Sequence, residues 1–344
     1  MGRFAKIVLI VVFAIYFAGC GEDNALAPEG DELFSKHPSP VWEGNWLAGD
    51  PSIIKLGDSY LMYYTSLLIT GDGDGDNPEN LQVAISVAES SDGITWDYAA
   101  PRTFGESVAL MNDNDSWDRV LETAFVVRHE DRFLMYYTGY EEGADGVNVI
   151  VSRGRVGLAE SSDGIEFTRT ADEPVIDADE PFDSDGIFSP TIVQYDGSYH
   201  MIYTGWSLDK YGYGLFGATS VDGISWQKQG DLLISEEDVS WSLDNPRESE
   251  LVRGPDRMFY LFFTSDTDQN MSAIGLARSP EPFGPWDVYP EPLVFKTESW
   301  EESGLIAPAV LIEDGTARIW YMAETGSFSN FYIGYAELEF PLDW

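Results

Sequence analysis

Five times along the chain a short apolar run is followed by a tight turn and a longer, more aromatic run. The copies read DPSIIKLGDSYLMYYTS from Asp50, ETAFVVRHEDRFLMYYTG from Glu122, SPTIVQYDGSYHMIYTG from Ser189, ESELVRGPDRMFYLFFTS from Glu248 and APAVLIEDGTARIWYMAE from Ala307. Aromatic and β-branched residues in short runs, bounded by Gly, Asp and Ser, predict strand pairs. A third run follows each pair: ISVAES, VGLAES, LFGATS, IGLARS and IGYAEL. In SSDGITW, SSDGIEF and SVDGISW an Asp-Gly then stands where a hairpin needs positive φ, with Trp96, Phe167 and Trp226 beyond it; SPEPFGPW, ending on Trp286, is a variant. No convincing amphipathic helix interrupts the pattern.

Each copy is preceded by an aromatic residue, at positions 42, 117, 182, 241 and 300, so the unit recurs every 59 to 75 residues. An acid usually stands beside it, as in Trp42-Glu43, Trp117-Asp118, Phe182-Asp183 and Trp300-Glu301. Four strands per unit, repeated five times, predict an all-β fold: a five-bladed β-propeller with four-stranded antiparallel blades around a central funnel. Little chain follows IGYAEL, so the segment near SKHPSPVW is expected to complete the last blade and close the ring. The innermost strands line the funnel, which puts Asp50, Glu122, Ser189, Glu248 and Ala307 in one equivalent position at its mouth. There a carboxylate stays wet while the hairpin behind it packs between blades.

Charge narrows the partners. The formal net charge is −41, and without residues 1–19 it is −43, from 17 Lys and Arg against 60 Asp and Glu. Such a surface repels nucleic acid and anionic polymers. It fits a solvated acidic shell, with calcium binding as the sharper alternative. GDGDGDN sets Asp72, Asp74 and Asp76 at alternating positions like half of a calcium loop, but Asn77 and Val83 stand where that loop needs Gly and Glu. His37, His129 and His200 have no metal-ligand spacing.

At the N-terminus Arg3 and Lys6 precede the apolar run 7–18, an export signal too short for a comfortable membrane span. FAGC, ending at Cys20, resembles the lipobox of bacterial lipoproteins, in which the cysteine is lipidated. The expected organisation is a signal at 1–19, an acidic and Pro-containing tether at 20–40, and a single propeller domain at 41–344. The expected location is the bacterial outer membrane or cell surface, reached through a lipid anchor, with the protein a monomer. Cys20 is the only cysteine, so no disulfide within the chain supports the fold.

Asp50-Pro51 opening the first inner strand, the five units and the recurrent YYTS and YYTG resemble the five-bladed glycosidase superfamily of arabinanases, β-xylosidases, invertases and levansucrases. The resemblance, covering the chain from about Trp42 onward, implies a carbohydrate substrate and carboxylate acid/base chemistry without a required cofactor. In the arabinanase and β-xylosidase branch a first-blade Asp is the general base, a second-blade acid tunes it and a third-blade Glu is the general acid. Asp50 matches the first role and Glu122 the second by charge. Ser189 departs at the third, and serine cannot protonate a glycosidic oxygen at neutral pH.

An inverting pair needs two carboxyls roughly 6.5–9.5 Å apart, and Glu248 lies across the expected funnel from Asp50. The expected roles are therefore Asp50 as base, Glu248 as acid and Glu122 as modulator, with Asp185 and Glu250 as reserves for the acid. Arg119 and Arg247 are candidate partners for these acids or for sugar hydroxyls. Trp46, Trp117, Trp206 and Trp241 are candidate sugar platforms, Trp46 and Trp206 the better ones because they stand in loops, and each aromatic has a competing role as a wedge between blades. A non-catalytic carbohydrate-binding propeller is the alternative that Ser189 supports.

Overall fold

The computed structural model describes residues 33–71, 73, 80–112, 116–140, 153–268, 271–324 and 331–344. The repeat becomes five antiparallel sheets arranged as blades. Their inner strands are Gly49–Leu56, Val120–His129, Gly186–Tyr195, Arg247–Arg253 and Leu305–Glu313. The second strands are Ser59–Ile69, Arg132–Tyr140, Ser198–Ser207, Phe259–Asp266 and Thr316–Glu324. The third are Leu81–Ser90, Arg155–Ser161, Gly212–Ser220, Ser272–Ser279 and Phe331–Glu339.

Short fourth strands follow in blades 1 to 4: Trp96–Tyr98, Thr168–Arg169, Gln227–Gln229 and Asp287–Val288. Blade 5 takes its fourth strand from the other end of the chain, where Phe34–Lys36 pairs antiparallel with the third strand, Phe34 opposite Leu338. The ring is closed by this N-terminal strand, so the propeller begins before residue 41.

The core lies between blades. Leu61, Tyr63, Ile85 and Val87 of blade 1 pack on Val126, Phe133 and Met135 of blade 2, and the same arrangement recurs around the ring. A strand buried on both faces reads as a continuous apolar run, which explains YLMYYT.

The aromatics that announce each unit are wedges. Trp117 stacks on Tyr137 at 6.4 Å, Trp241 on Phe263 at 6.3 Å and Trp300 on Tyr321 at 6.5 Å. The tyrosines of the second strands in turn donate to buried acids: Tyr137 to Asp118 at 2.7 Å, Tyr203 to Asp183 at 3.2 Å, Tyr321 to Glu301 at 2.5 Å, and Tyr64 to Glu106. Arg169, Lys228 and Lys36, each from a fourth strand, neutralise Asp118, Asp183 and Glu301. In blade 1 the acid is Glu106 and not the exposed Glu43 beside the aromatic. Blade 4 has Phe263 and Ser242 in the places of the tyrosine and the acid, so hydroxyl and charge are both missing there.

The Asp-Gly turns are explained by the same neighbours. Asp92 Oδ1 accepts from the backbone of Ile94 and Thr95, which holds its carboxyl down at about 2. Gly93, at φ 77°, offers its carbonyl to the Trp320 indole of blade 5. Gly164 and Gly223 likewise accept from Tyr63 and Tyr136 of the preceding blade. These turns stitch one blade to the next.

Candidate active site

Every inner strand breaks its ladder with a bulge next to the channel, after Gly49, Glu122, Phe188, Arg247 and Ile306. The residue that follows has positive φ in all five blades: Asp50 49°, Thr123 47°, Ser189 48°, Glu248 42° and Ala307 50°. Non-glycine residues seldom adopt this conformation, and a bulge re-aims the side chain it carries. The five-fold position therefore holds Thr123 in blade 2. Glu122 stands one residue earlier, a correction to the alignment made on charge and apolar pattern.

A ring of threonines holds these strained backbones. Thr65 Oγ1 accepts from the Thr123 amide at 3.2 Å, Thr123 Oγ1 from Ser189 at 3.1 Å, Thr204 Oγ1 from Glu248 at 2.8 Å and Thr264 Oγ1 from Ala307 at 3.0 Å. Thr65 also donates to Asp50 Oδ2 at 2.8 Å, fixing its carboxylate. Thr65, Thr204 and Thr264 come from the YYTS, YTG and FTS runs; the recurrence was visible in the sequence, but the hydroxyl's task was not.

The channel has an empty volume of about 320 Å³ and is lined by residues 50–51, 123–125, 189–190, 248–250 and 307–308. Asp50, Glu248 and Glu250 are its acids. Glu122 is not on this wall; it is buried behind it and accepts from the Tyr140 hydroxyl at 2.6 Å.

Burial is the main cause of the unusual charge states here, because the low dielectric of the interior disfavours carboxylate. Asp50 is pushed up to about 6, with the Thr65 hydrogen bond opposing. Glu248 rises to about 7, with Arg247 opposing and the Asp50 charge adding. Glu122 rises to about 8, helped by the charges of Asp50 and Glu248. Glu250 is also raised well above the ordinary range by desolvation, although its side chain is partly open to the channel. Glu248 Oε2 is buried without a protein partner, and so is Ser189 Oγ.

Arg247 is buried between Asp244 at 2.7 Å and Asp266 at 2.8 Å. Arg119 is half-buried just before the inner strand of blade 2, its carbonyl accepting from Asn112. Asp185 accepts from the Leu208 amide at 2.9 Å. Trp117 is packed as a wedge under the Arg155 guanidinium, whereas Trp46 is exposed and Trp206 stacks on Tyr213 at 5.8 Å. Among the described residues no group of three or more His, Cys, Asp or Glu could hold a metal ion. Cys20 and the loop acids Asp72, Asp74 and Asp76 lie outside the described residues.

No family model matches the chain. In sequence, 81 residues are 40% identical to a 1,2-beta-oligomannan phosphorylase of Thermoanaerobacter sp. (strain X514), spanning 23% of this chain and 27% of that enzyme. A further match, 32% identical over 111 residues, is to an uncharacterized protein of Mycobacterium tuberculosis, Rv1502, covering 30% of this chain and 35% of the relative. The chain thus matches only about a third, or less, of the length of these relatives.

In structure, it resembles BT0996 as seen in a complex with RGII, with TM-score 0.67, 16% identity and coverage of 90% of this protein and 95% of BT0996. The endo-arabinase from Bacteroides thetaiotaomicron VPI-5482 aligns with TM-score 0.62 and 17% identity over 88% and 97%. A protein from the GH130 family of mannoside phosphorylases, described as containing glycoside hydrolases that target beta-1,2 mannosidic linkages in Candida mannan, gives 0.62 and 18% over 87% and 88%. This protein shares their five-bladed propeller fold. At these identities the likeness is one of architecture, and a fold of itself fixes no chemistry.

Proposed function

We propose that the protein hydrolyses glycosidic bonds of a neutral oligo- or polysaccharide at the mouth of its channel, with Asp50 as general base and Glu248 as general acid. The observation that carries this reading is a pair of buried acids on one channel wall, each at the positive-φ bulge position of its blade and each raised above the ordinary carboxylate range. Asp50 is pushed up to about 6 and Glu248 to about 7, an order that favours Asp50 as the carboxylate and Glu248 as the acid. Asp50 takes a proton from the attacking water as its oxygen bonds to the anomeric carbon, while Glu248 gives its proton to the departing glycosidic oxygen. Glu122, neutral until about 8, keeps a third negative charge away from the pair.

In that protonation state Asp50 is the charged group of the described channel wall, and its carboxylate repels a phosphate dianion and supports water as the acceptor. It also disfavours acidic sugars. The run 7–18 and FAGC support export and lipid anchoring at Cys20, with the chain before Phe34 as tether.

The test is kcat/KM against pH on 4-nitrophenyl and 2,4-dinitrophenyl α-L-arabinofuranosides and β-D-mannosides, with release from arabinan and β-1,2-mannan followed with and without phosphate. A bell with limbs near 6 and 7 is expected. Asp50→Asn should lower the rate about 10²–10⁴-fold. Glu248→Gln should lose most activity on the nitrophenyl substrate and far less on the dinitrophenyl one, whose leaving group needs no proton. Equal losses on both would remove Glu248 as the acid, and release that requires phosphate would overturn hydrolysis. Glycan binding without release by the parent would favour a carbohydrate-binding propeller, which Ser189 in blade 3 supports.

A further inference from the structure

Beside the channel, blades 3 and 4 carry an apolar shelf that the chemistry above does not use. It starts near the channel wall: Trp206 pairs in register with Gly186 on the inner strand that leads to Ser189, and it packs against the buried cluster that includes Phe188. Trp206 stacks on Tyr213, and the loop between them displays Leu208, 68% exposed, and Tyr211, 43% exposed. From blade 4, Leu243 adds a third side chain, 55% exposed.

This shelf is built and fixed. Asp185 accepts from the Leu208 amide, Ser207 O accepts from the Tyr211 amide at 3.2 Å, and Asn245 Nδ2 donates to the Tyr211 carbonyl at 3.2 Å and the Tyr213 carbonyl at 3.1 Å. Asn245 thereby ties the loop bearing Tyr211 to the loop bearing Leu243. A loop backbone held in this way loses little freedom when a ligand covers it.

We infer that this shelf is a distal carbohydrate subsite, which binds sugar units of a neutral chain whose reacting end lies in the channel. The inference rests on the carbohydrate reading above. The occupant follows from the surface: one phenol face and two aliphatic side chains suit the C–H face of a pyranose or furanose, while the tyrosine hydroxyl and the surrounding acids suit its hydroxyls. A lone exposed leucine is ordinary, whereas here three apolar side chains are exposed on two loops that Asn245 ties together on the channel-mouth side of blades 3 and 4. The substrate is consequently an oligomer and not a single glycoside.

The experiment measures affinity in the Asp50→Asn background, so that binding is read without cleavage, for β-1,2-manno- and arabino-oligosaccharides of two to six units. Affinity should rise with chain length in one of the two series, and that gain should fall about tenfold when Tyr211→Ala and Leu208→Ala are added. Trp226→Phe, on the opposite end of blade 3, serves as the control. A length gain untouched by the shelf substitutions, or no gain in either series, overturns the inference. Length-dependent binding that needs the shelf, in a parent that releases no product, would sink hydrolysis and leave the subsite standing. Hydrolysis with no length gain would do the reverse.

Discussion

Glu122 is a carboxyl whose environment works against its charge. It is 1% exposed, receives one hydrogen bond from Tyr140 and feels the negative charge of Asp50 and Glu248. Its folded pKa of about 8 lies above that of an unfolded glutamate, so its protonated form favours the folded state. That contribution is complete below the ordinary glutamate range and is lost as pH rises through about 8. Glu122→Gln keeps an acceptor for Tyr140 and cannot ionise. Thermal unfolding should show the variant more stable than the parent at pH 9 by at least about 3 °C, with the difference closing at pH 4. The same gap at both pH values would mean that the glutamate carries no such strain.

At the scale of the strand, the recurring unit is a bulge, a positive φ and a threonine of the preceding blade that catches the exposed amide. Thr204→Val would leave the buried Glu248 amide without its acceptor and should cost about 1–3 kcal/mol in urea unfolding, with Thr204→Ser restoring most of it. If valine proves neutral, the threonine ring is packing alone. The strand scale is also where the sequence pattern misplaces blade 2 by one residue. A bulge inserts an unpaired residue without changing the apolar pattern that follows, and in blade 2 a glutamate beside the true position, Thr123, matches the charge of Asp50. Tyr140 gives no signal of its own, and the recurrence of Thr65 does not reveal its task, because a buried hydroxyl and an ordinary strand residue look alike in sequence.

Across the whole molecule, closure rests on the strand Phe34–Lys36 and the residues just after it, which pair with the last blade. Phe34 enters the core of blade 5, and the Lys36 ammonium lies 2.8 Å from the buried Glu301 carboxylate, which also receives the Tyr321 hydroxyl. Lys36→Met should cost about 3–5 kcal/mol, because it leaves Glu301 uncompensated, and adding Glu301→Gln should recover much of the loss. Chemical denaturation of the single and double variants measures both. A single variant as stable as the parent would show that the ring does not need this clasp.

The sequence by itself determined the all-β class, the five units, their order and the closing role of the segment around Ser35, because strand periodicity and turn chemistry are local properties. It also singled out Asp50 and Glu248, since the position that opens each inner strand repeats with it. Only the tertiary structure decided the rest. Whether Trp117 is a wedge or a platform depends on Tyr137 meeting it, and whether Arg247 is free depends on Asp244 and Asp266. The protonation of the channel acids has the same origin: desolvation is set by which five strands converge, and no spacing along one chain records that.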